Sequence, residues 1–238
     1  MKTLLLIDAH ALIYRFFHAL PPLSTPEGKP IQAIYGLSGM LIKIFTTIRP
    51  EYAAAAFDRP EATFRKEAFN DYKIHRQKAP DELAEQFGEA RKAFATFGVS
   101  VFEKAGFEAD DLLGTLASRF AKEKDVRIII LSGDLDILQL VQGETISADI
   151  IKTGISNIVR YTEKEVAERY GLPPTALPDY KGLVGDTSDN IPGVPGIGPK
   201  TARELLQEFK TLEEVYENLP IIKSAVADKL TAHRENAL

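Results

Sequence analysis

An α/β fold is predicted: a mostly parallel central sheet flanked by helices, followed by a smaller helical lobe. Three observations carry it. Short, continuously apolar runs recur at residues 3–7, 52–57 and 126–131, the pattern of strands covered on both faces of a parallel sheet. Stretches with apolar residues at helical spacing lie between or beside them, at 32–48, 81–97 and 110–122, which is the alternation of βαβ units. From Pro173 onward proline and glycine cluster and helical patterns follow at 202–209, 212–218 and 221–233.

Each element has a local reason. The first run, Thr-Leu-Leu-Leu-Ile, stops at Asp8, too soon for the core of a signal peptide, and a helix carrying Arg15 follows. The second, Tyr-Ala-Ala-Ala-Ala-Phe, ends in Asp58, and the third leads through Ser132-Gly133 to Asp134. Pro80 and two acids open the helix at 81–97. Residues 145–160 look extended, with Gly154 and Asn157 as turn residues, and Thr162-Glu163-Lys164-Glu165 reads as a capping box. The expected division is an α/β core over 1–172 and a helical lobe over 173–238.

Composition excludes several functions. The 238 residues include no cysteine and only four histidines, so thiolate zinc sites, iron–sulfur clusters, cysteine nucleophiles and disulfides are ruled out. No window approaches the roughly 20 apolar residues of a membrane span. A soluble chain in a reducing, cytoplasmic compartment is expected, with no membrane partner.

The informative residues are acids. Three apolar strands run at once into Asp8, Asp58 and the pair Asp134 and Asp136, and ligands of an open parallel sheet bind at the carboxyl ends of its strands. Glu108, Asp110 and Asp111 stand at a helix start, and Asp186 and Asp189 in a glycine-flanked turn. Singly, each reads as an N-cap, a dipole partner or a solvated turn residue. Together, nine carboxylates facing one cleft would repel one another, a cost that cations offset. Oxygen-only ligands point to two Mg²⁺ ions, with Mn²⁺ as substitute, the arrangement for in-line hydrolysis of a phosphodiester. Removing nine negative charges from the net −5 leaves +4, compatible with a polyanionic substrate.

Two further segments suit such a substrate. Residues 59–78 carry six basic side chains against three acidic ones, including Arg65, Lys73, Arg76 and Lys78, with Phe64, Phe69 and Tyr72 interleaved. That pattern suits phosphate pairing and base stacking on a single strand, and equally an exposed helix and loop. Gly193-Val194-Pro195-Gly196-Ile197-Gly198-Pro199-Lys200 precedes a helical run. Its glycines let backbone N–H groups approach a phosphate at a helix N-terminus. Pro199 breaks the nucleotide P-loop pattern, leaving backbone binding or a plain helical corner.

The ordered set Leu-Ile-Asp8, Phe-Asp58, Tyr72-Lys73-Ile-His-Arg76, Glu108-Ala-Asp110-Asp111, Ser132-Gly-Asp134-Leu-Asp136 and Gly185-Asp186-Thr-Ser-Asp189 through Gly198 resembles the 5′-nuclease domain of bacterial DNA polymerase I, in the flap endonuclease superfamily. The resemblance spans nearly the whole chain. It implies a PIN-like sheet, a helical arch at about 59–82 within the core, and a C-terminal helix-hairpin-helix lobe. It also implies metal-dependent cleavage at 5′ flaps, nicks and RNA primer ends in replication and repair. The nine carboxylates carry over as metal ligands. Lys73, Arg76 and Arg15 would hold the scissile phosphate, and Tyr72 would stack on a base. Arg65, Lys78, Lys200 and the turn glycines Gly193, Gly196 and Gly198 would bind DNA, with a potassium ion on the turn's carbonyls. A polymerase domain in a longer parent and a monomeric state are further expectations.

The chain departs from that family's usual pattern at Ala9, Leu135 and Gln77-Lys78, none of them a proposed ligand. Two other classes compete. One is a catalytically silent junction-binding module, against which all nine positions being acidic argues. The other takes Asp134-Leu-Asp136 as the carboxylate motif of a phosphatase or nucleotide-sugar enzyme acting on small molecules, which leaves the helical lobe and the glycine turn unexplained.

Overall fold

The computed structural model describes residues 1–76, 78–153 and 157–237; Gln77 and Gly154, named above, lie outside the described residues. In chain order the elements are β1 (Lys2–Asp8), α1 (Ala9–Ala19), α2 (Gln32–Thr47), β2 (Tyr52–Phe57), α3 (Phe64–Ala68), α4 (Asp81–Thr96), β3 (Ser100–Glu103), α5 (Ala109–Phe120) and β4 (Val126–Ser132). A 3₁₀ turn, Asp136–Leu140, leads to β5 (Ile146–Thr153) and β6 (Asn157–Tyr161). Then come α6 (Glu163–Tyr170), α7 (Leu177–Val184), α8 (Pro199–Phe209), α9 (Leu212–Glu217), α10 (Ser224–Ala232) and α11 (Arg234–Ala237).

Among the described residues six strands form one sheet in the order β3-β2-β1-β4-β5-β6, parallel except for β6. The continuous apolar runs explain this, because both faces are covered. Leu5, Ile7, Ala55, Phe57, Ile129 and Leu131 join one cluster with Leu12, Leu37, Leu41 and Phe94 from α1, α2 and α4. The alternate strand residues Leu4, Leu6, Ala54, Ile128 and Ile130 are also buried, and α5 packs along β1, β2 and β4. Alternation sends successive side chains to opposite faces, so a strand buried on both is apolar through its middle and polar only towards its ends.

Contacts divide the chain into two units, Met1–Thr63 with Lys78–Thr162, and Phe64–Gln77 with Glu163–Leu238. The segment 64–76, expected inside the α/β core, groups with the helical unit. The reason is local: Lys73 N donates to Asp189 O at 3.0 Å, and Asn190 Nδ2 donates to Asp71 O at 2.9 Å.

The second unit has its own core, including Leu183, Val194, Ile197, Leu205, Leu206, Val215 and Leu230. Its α7 breaks the sequence pattern, since Pro178 and Gly182 lie inside it. Pro178 falls in the first turn, where no N–H is needed, and a Cβ at Gly182 would come within 2.5 Å of Ala237 O. The helix expected over 221–233 starts at Ser224, because Ile222 is extended (φ −76°, ψ 145°). No described helix is long and apolar enough to cross a membrane.

Candidate metal centre

Because β2, β1 and β4 are parallel neighbours, their carboxyl ends share one edge of the sheet. Asp8 is the last residue of β1, Asp58 follows β2 at once, and Asp134 stands two residues beyond Ser132, the last of β4. Asp8 does the N-cap's work for α1, its Oδ1 accepting from Ala11 N at 3.0 Å. Its Oδ2 accepts from Ser132 Oγ at 2.6 Å. Ser132 Oγ accepts in turn from Asp134 N at 2.9 Å, and Asp134 Oδ1 from Asp136 N at 3.0 Å.

Burial pushes the Asp8 carboxyl up from 3.8 to about 6; the bonds from Ser132 and Ala11 oppose that rise, and repulsion by Asp58 and Asp134 adds to it. Asp8 therefore feels the charge of both Asp58 and Asp134. A divalent cation would remove both the desolvation penalty and the repulsion, and the donors are hard oxygens. The residues fit such an ion.

The acids at the start of α5 divide their duties. Asp58 Oδ1 accepts from Ala109 N at 2.6 Å, satisfying the first orphan donor of that helix. Glu108 and Asp111 form a reciprocal capping box, with Glu108 N donating to Asp111 Oδ2 at 2.9 Å. Asp110 sits between them, half-buried. His10, absent from the sequence expectations, brings Nδ1 to 3.7 Å from Asp58 Oδ2 while its ring stacks on Phe87 at 4.5 Å.

Arg15 serves the same loop. Its Nη2 donates to Gly133 O at 3.1 Å and its Nη1 to Lys152 O at 2.9 Å. A Cβ at Gly133 would lie 2.8 Å from Arg15 Nε. The guanidinium, from which a phosphate contact is expected, also braces the turn that carries Asp134.

In the second unit Asp186 and Asp189 flank one turn. Lys181 Nζ donates to Asp186 Oδ2 at 2.6 Å, and Ser188 N and Oγ donate to Asp186 Oδ1 at 2.9 and 2.6 Å. Burial raises this carboxyl, but the Lys181 and Ser188 bonds outweigh it and hold it at about 2. Asp189 Oδ2 accepts from Tyr72 Oη at 3.2 Å, and Lys73 Nζ lies 3.9 Å from Asp189 Oδ1.

Known proteins share this plan. The profile of the 5′-3′ exonuclease N-terminal resolvase-like domain matches residues 3–171, and that of the 5′-3′ exonuclease C-terminal SAM fold matches residues 172–238. The chain belongs to the 5′-3′ exonuclease family. Membership makes it a nuclease. DNA polymerase I of Bacillus caldotenax is 44% identical over 238 residues, covering 100% of this chain and 27% of that protein. The chain thus spans about a quarter of that relative's length. The 5′-3′ exonuclease of Aquifex aeolicus is 39% identical over 218 residues, covering 92% of this chain and 73% of that one. A bacteriophage T5 5′-exonuclease structure with divalent metal ions (zinc) bound shares the fold at TM-score 0.80 and 23% identity, over 99% of this chain and 86% of that one.

In this exonuclease the glycine turn is built as its composition implies. Gly193 and Gly196 have φ of +62° and +82°, and a Cβ at Gly193 would meet Gly185 N at 2.3 Å. Gly198 is the N-cap of α8, with Pro199 at its first position. Lys229 Nζ donates to Gly196 O at 3.1 Å, a contact no local spacing signals. Of the exonuclease's predicted basic contacts, Arg76, Lys78 and Lys200 are exposed, Lys78 3.7 Å from Asp81 and Lys200 3.9 Å from Glu204. The Arg65 guanidinium lies 4.7 Å from the Phe64 ring centroid.

Proposed function

We propose that this nuclease hydrolyses phosphodiester bonds of branched or nicked duplex DNA at 5′ ends and 5′ flaps, RNA–DNA primer ends included, with two Mg²⁺ ions that Mn²⁺ can replace. The observation that carries it is Asp8, a buried carboxylate pushed to about 6 with Asp58 and Asp134 adding their repulsion. Such a group is a functional-site candidate, and a hard cation would offset both the burial and the repulsion.

Asp8, Asp58, Asp134 and Asp136 would hold the ions with Glu108, Asp110 and Asp111, and Asp186 and Asp189 are ligands on the chemistry of their side chains. When bound, the ions supply an activated water and charge stabilisation at the leaving oxygen. Ser132 and Ala11 orient Asp8, and Arg15 fixes the Asp134 turn through Gly133. Lys73 and Arg76 pair with the phosphate, Tyr72 stacks on a base, and Arg65, Lys78 and Lys200 contact the backbone. The turn from Gly193 to Gly198 offers N–H groups at the start of α8 to a duplex phosphate. A potassium ion would be held there by backbone carbonyls of the turn. The roles in lagging-strand maturation and repair, an attached polymerase, cytoplasmic location and a monomeric state belong to the same reading.

A labelled 5′-flap duplex tests it. Cutting is expected with Mg²⁺ and not with chelator, and Asp134→Ala should abolish turnover while flap binding persists. Metal-independent cutting, or salt-dependent binding without product across a Mg²⁺ and Mn²⁺ titration, would refute it.

A further inference from the structure

Lys229 stands on α10, 33 positions beyond Gly196, yet its side chain ends on the glycine turn. Its Nζ donates to Gly196 O at 3.1 Å. A Cβ at Gly196 would meet Lys229 Nζ at 2.8 Å, Cε at 3.0 Å and Cδ at 3.3 Å, so the end of the lysine lies along the bare Cα of that glycine. The turn beneath it is pinned from within. Ile197 N donates to Val194 O at 2.9 Å and Val194 N to Leu183 O at 2.8 Å, the closed turn that Pro195 and a positive φ at Gly196 favour. The N–H groups of Gly196 and Gly198 have no acceptor among the described residues. Lys200, the cation that local spacing singles out, lies 3.9 Å from Glu204. Lys229 is exposed, and among the described residues no carboxylate pairs with its ammonium.

We propose that Lys229 is a duplex-binding residue: one N–H of its ammonium holds the Gly196 carbonyl, and the other two serve a backbone phosphate of DNA seated on the turn. The inference deepens the reading of the glycine turn as a duplex contact and rests on it. An ammonium has three donors and no acceptor, so the bond to Gly196 leaves two for an anion. A mobile lysine must be ordered before it grips a phosphate, at an entropic cost. Here the Gly196 contact orders the side chain in the folded protein, so less freedom is lost on binding. With no carboxylate paired to it, the ammonium presents its whole charge to the anion. A grip of this kind reads phosphate and not base, so it serves any duplex sequence.

The test measures binding of a fluorescein-labelled blunt duplex by the whole chain, in chelator so that nothing is cut, from about 50 to 200 mM potassium chloride. Lys229→Met keeps an unbranched stem over Gly196 and removes the charge and its donors. It should bind about three- to tenfold more weakly near 0.1 M salt. The slope of log affinity against log salt should shrink by about 0.9, the signature of one lost phosphate contact. Lys229→Arg, which keeps the charge, should keep the wild-type slope, and both variants should melt close to the wild type. Weaker binding by Lys229→Met with an unchanged slope would make Lys229 a pin of the turn and overturn the inference, as would unchanged affinity. In either case weaker binding by Gly198→Ala would leave the reading of the turn standing. Absence of salt-dependent duplex binding by the wild type would overturn that reading and the inference together.

Discussion

Ser132 Oγ donates to Asp8 Oδ2 at 2.6 Å and so ties the carboxyl end of β4 to that of β1 through a buried bond. The same oxygen accepts from Asp134 N. One hydroxyl therefore orients two proposed ligands, and its placement follows from the parallel register that pairs Ile7 with Leu131.

Ser132→Ala should remove both bonds. A buried carboxylate left short of a donor costs about 1–3 kcal/mol, read as a lower urea midpoint. Because the Ser132 bond lowers the Asp8 carboxyl, its loss should also move the acidic limb of the pH–rate profile upward. A limb that stays in place would deny Ser132 this role.

Asp8 makes the metal-free fold sensitive to pH. Its carboxyl rises from 3.8 to about 6 on folding, so between those values the native state binds more protons than the unfolded chain. Stability is then greatest below about pH 4 as far as this group is concerned, and falls as pH rises through 6. Two pKa units set an upper bound of about 3 kcal/mol. Asp8→Asn should flatten that fall in urea titrations from pH 4 to 8 without metal. Identical slopes in the two proteins would remove Asp8 as the cause.

The glycine turn separates folding from binding. Gly193→Ala places a Cβ 2.3 Å from Gly185 N at a positive φ, so thermal unfolding should show a loss of about 2 kcal/mol or more. Gly198 has φ −95° and open space around its Cβ position. Gly198→Ala should keep its stability to within about 1 kcal/mol while weakening duplex binding measured by fluorescence anisotropy. Unchanged binding would take Gly198 out of the DNA contact.

Arg15→Met should cost about 1 kcal/mol, since its fork bonds two partly exposed carbonyls at once. It should lower kcat more than it raises KM, because the Asp134 turn loses its brace. Arg15→Lys should not rescue it, an ammonium having no planar fork. A change confined to KM would deny the brace and leave Arg15 with its phosphate contact alone.

Continuous apolar runs make β1, β2 and β4 legible in the sequence, and their parallel order puts Asp8, Asp58 and Asp134 at one edge. The glycine turn and the start of α8 were equally plain, because glycine and proline act locally. Other elements left no such trace. Only four residues make up β3, mostly exposed at the edge of the sheet, and Pro178 and Gly182 disguised α7.

By itself, the sequence determined which residue types stand at strand ends and turns, and thereby the chemistry open to this protein, since strand and turn signals depend on neighbours a few positions apart. Tertiary structure alone decided what each side chain does there. Ser132 and Asp8 are 124 positions apart, Arg15 and Gly133 are 118, and Tyr72 and Asp189 are 117. No spacing rule reaches that far: such pairs exist only once the packed sheet and helices have brought distant backbone into hydrogen-bond range, where desolvation fixes their charge.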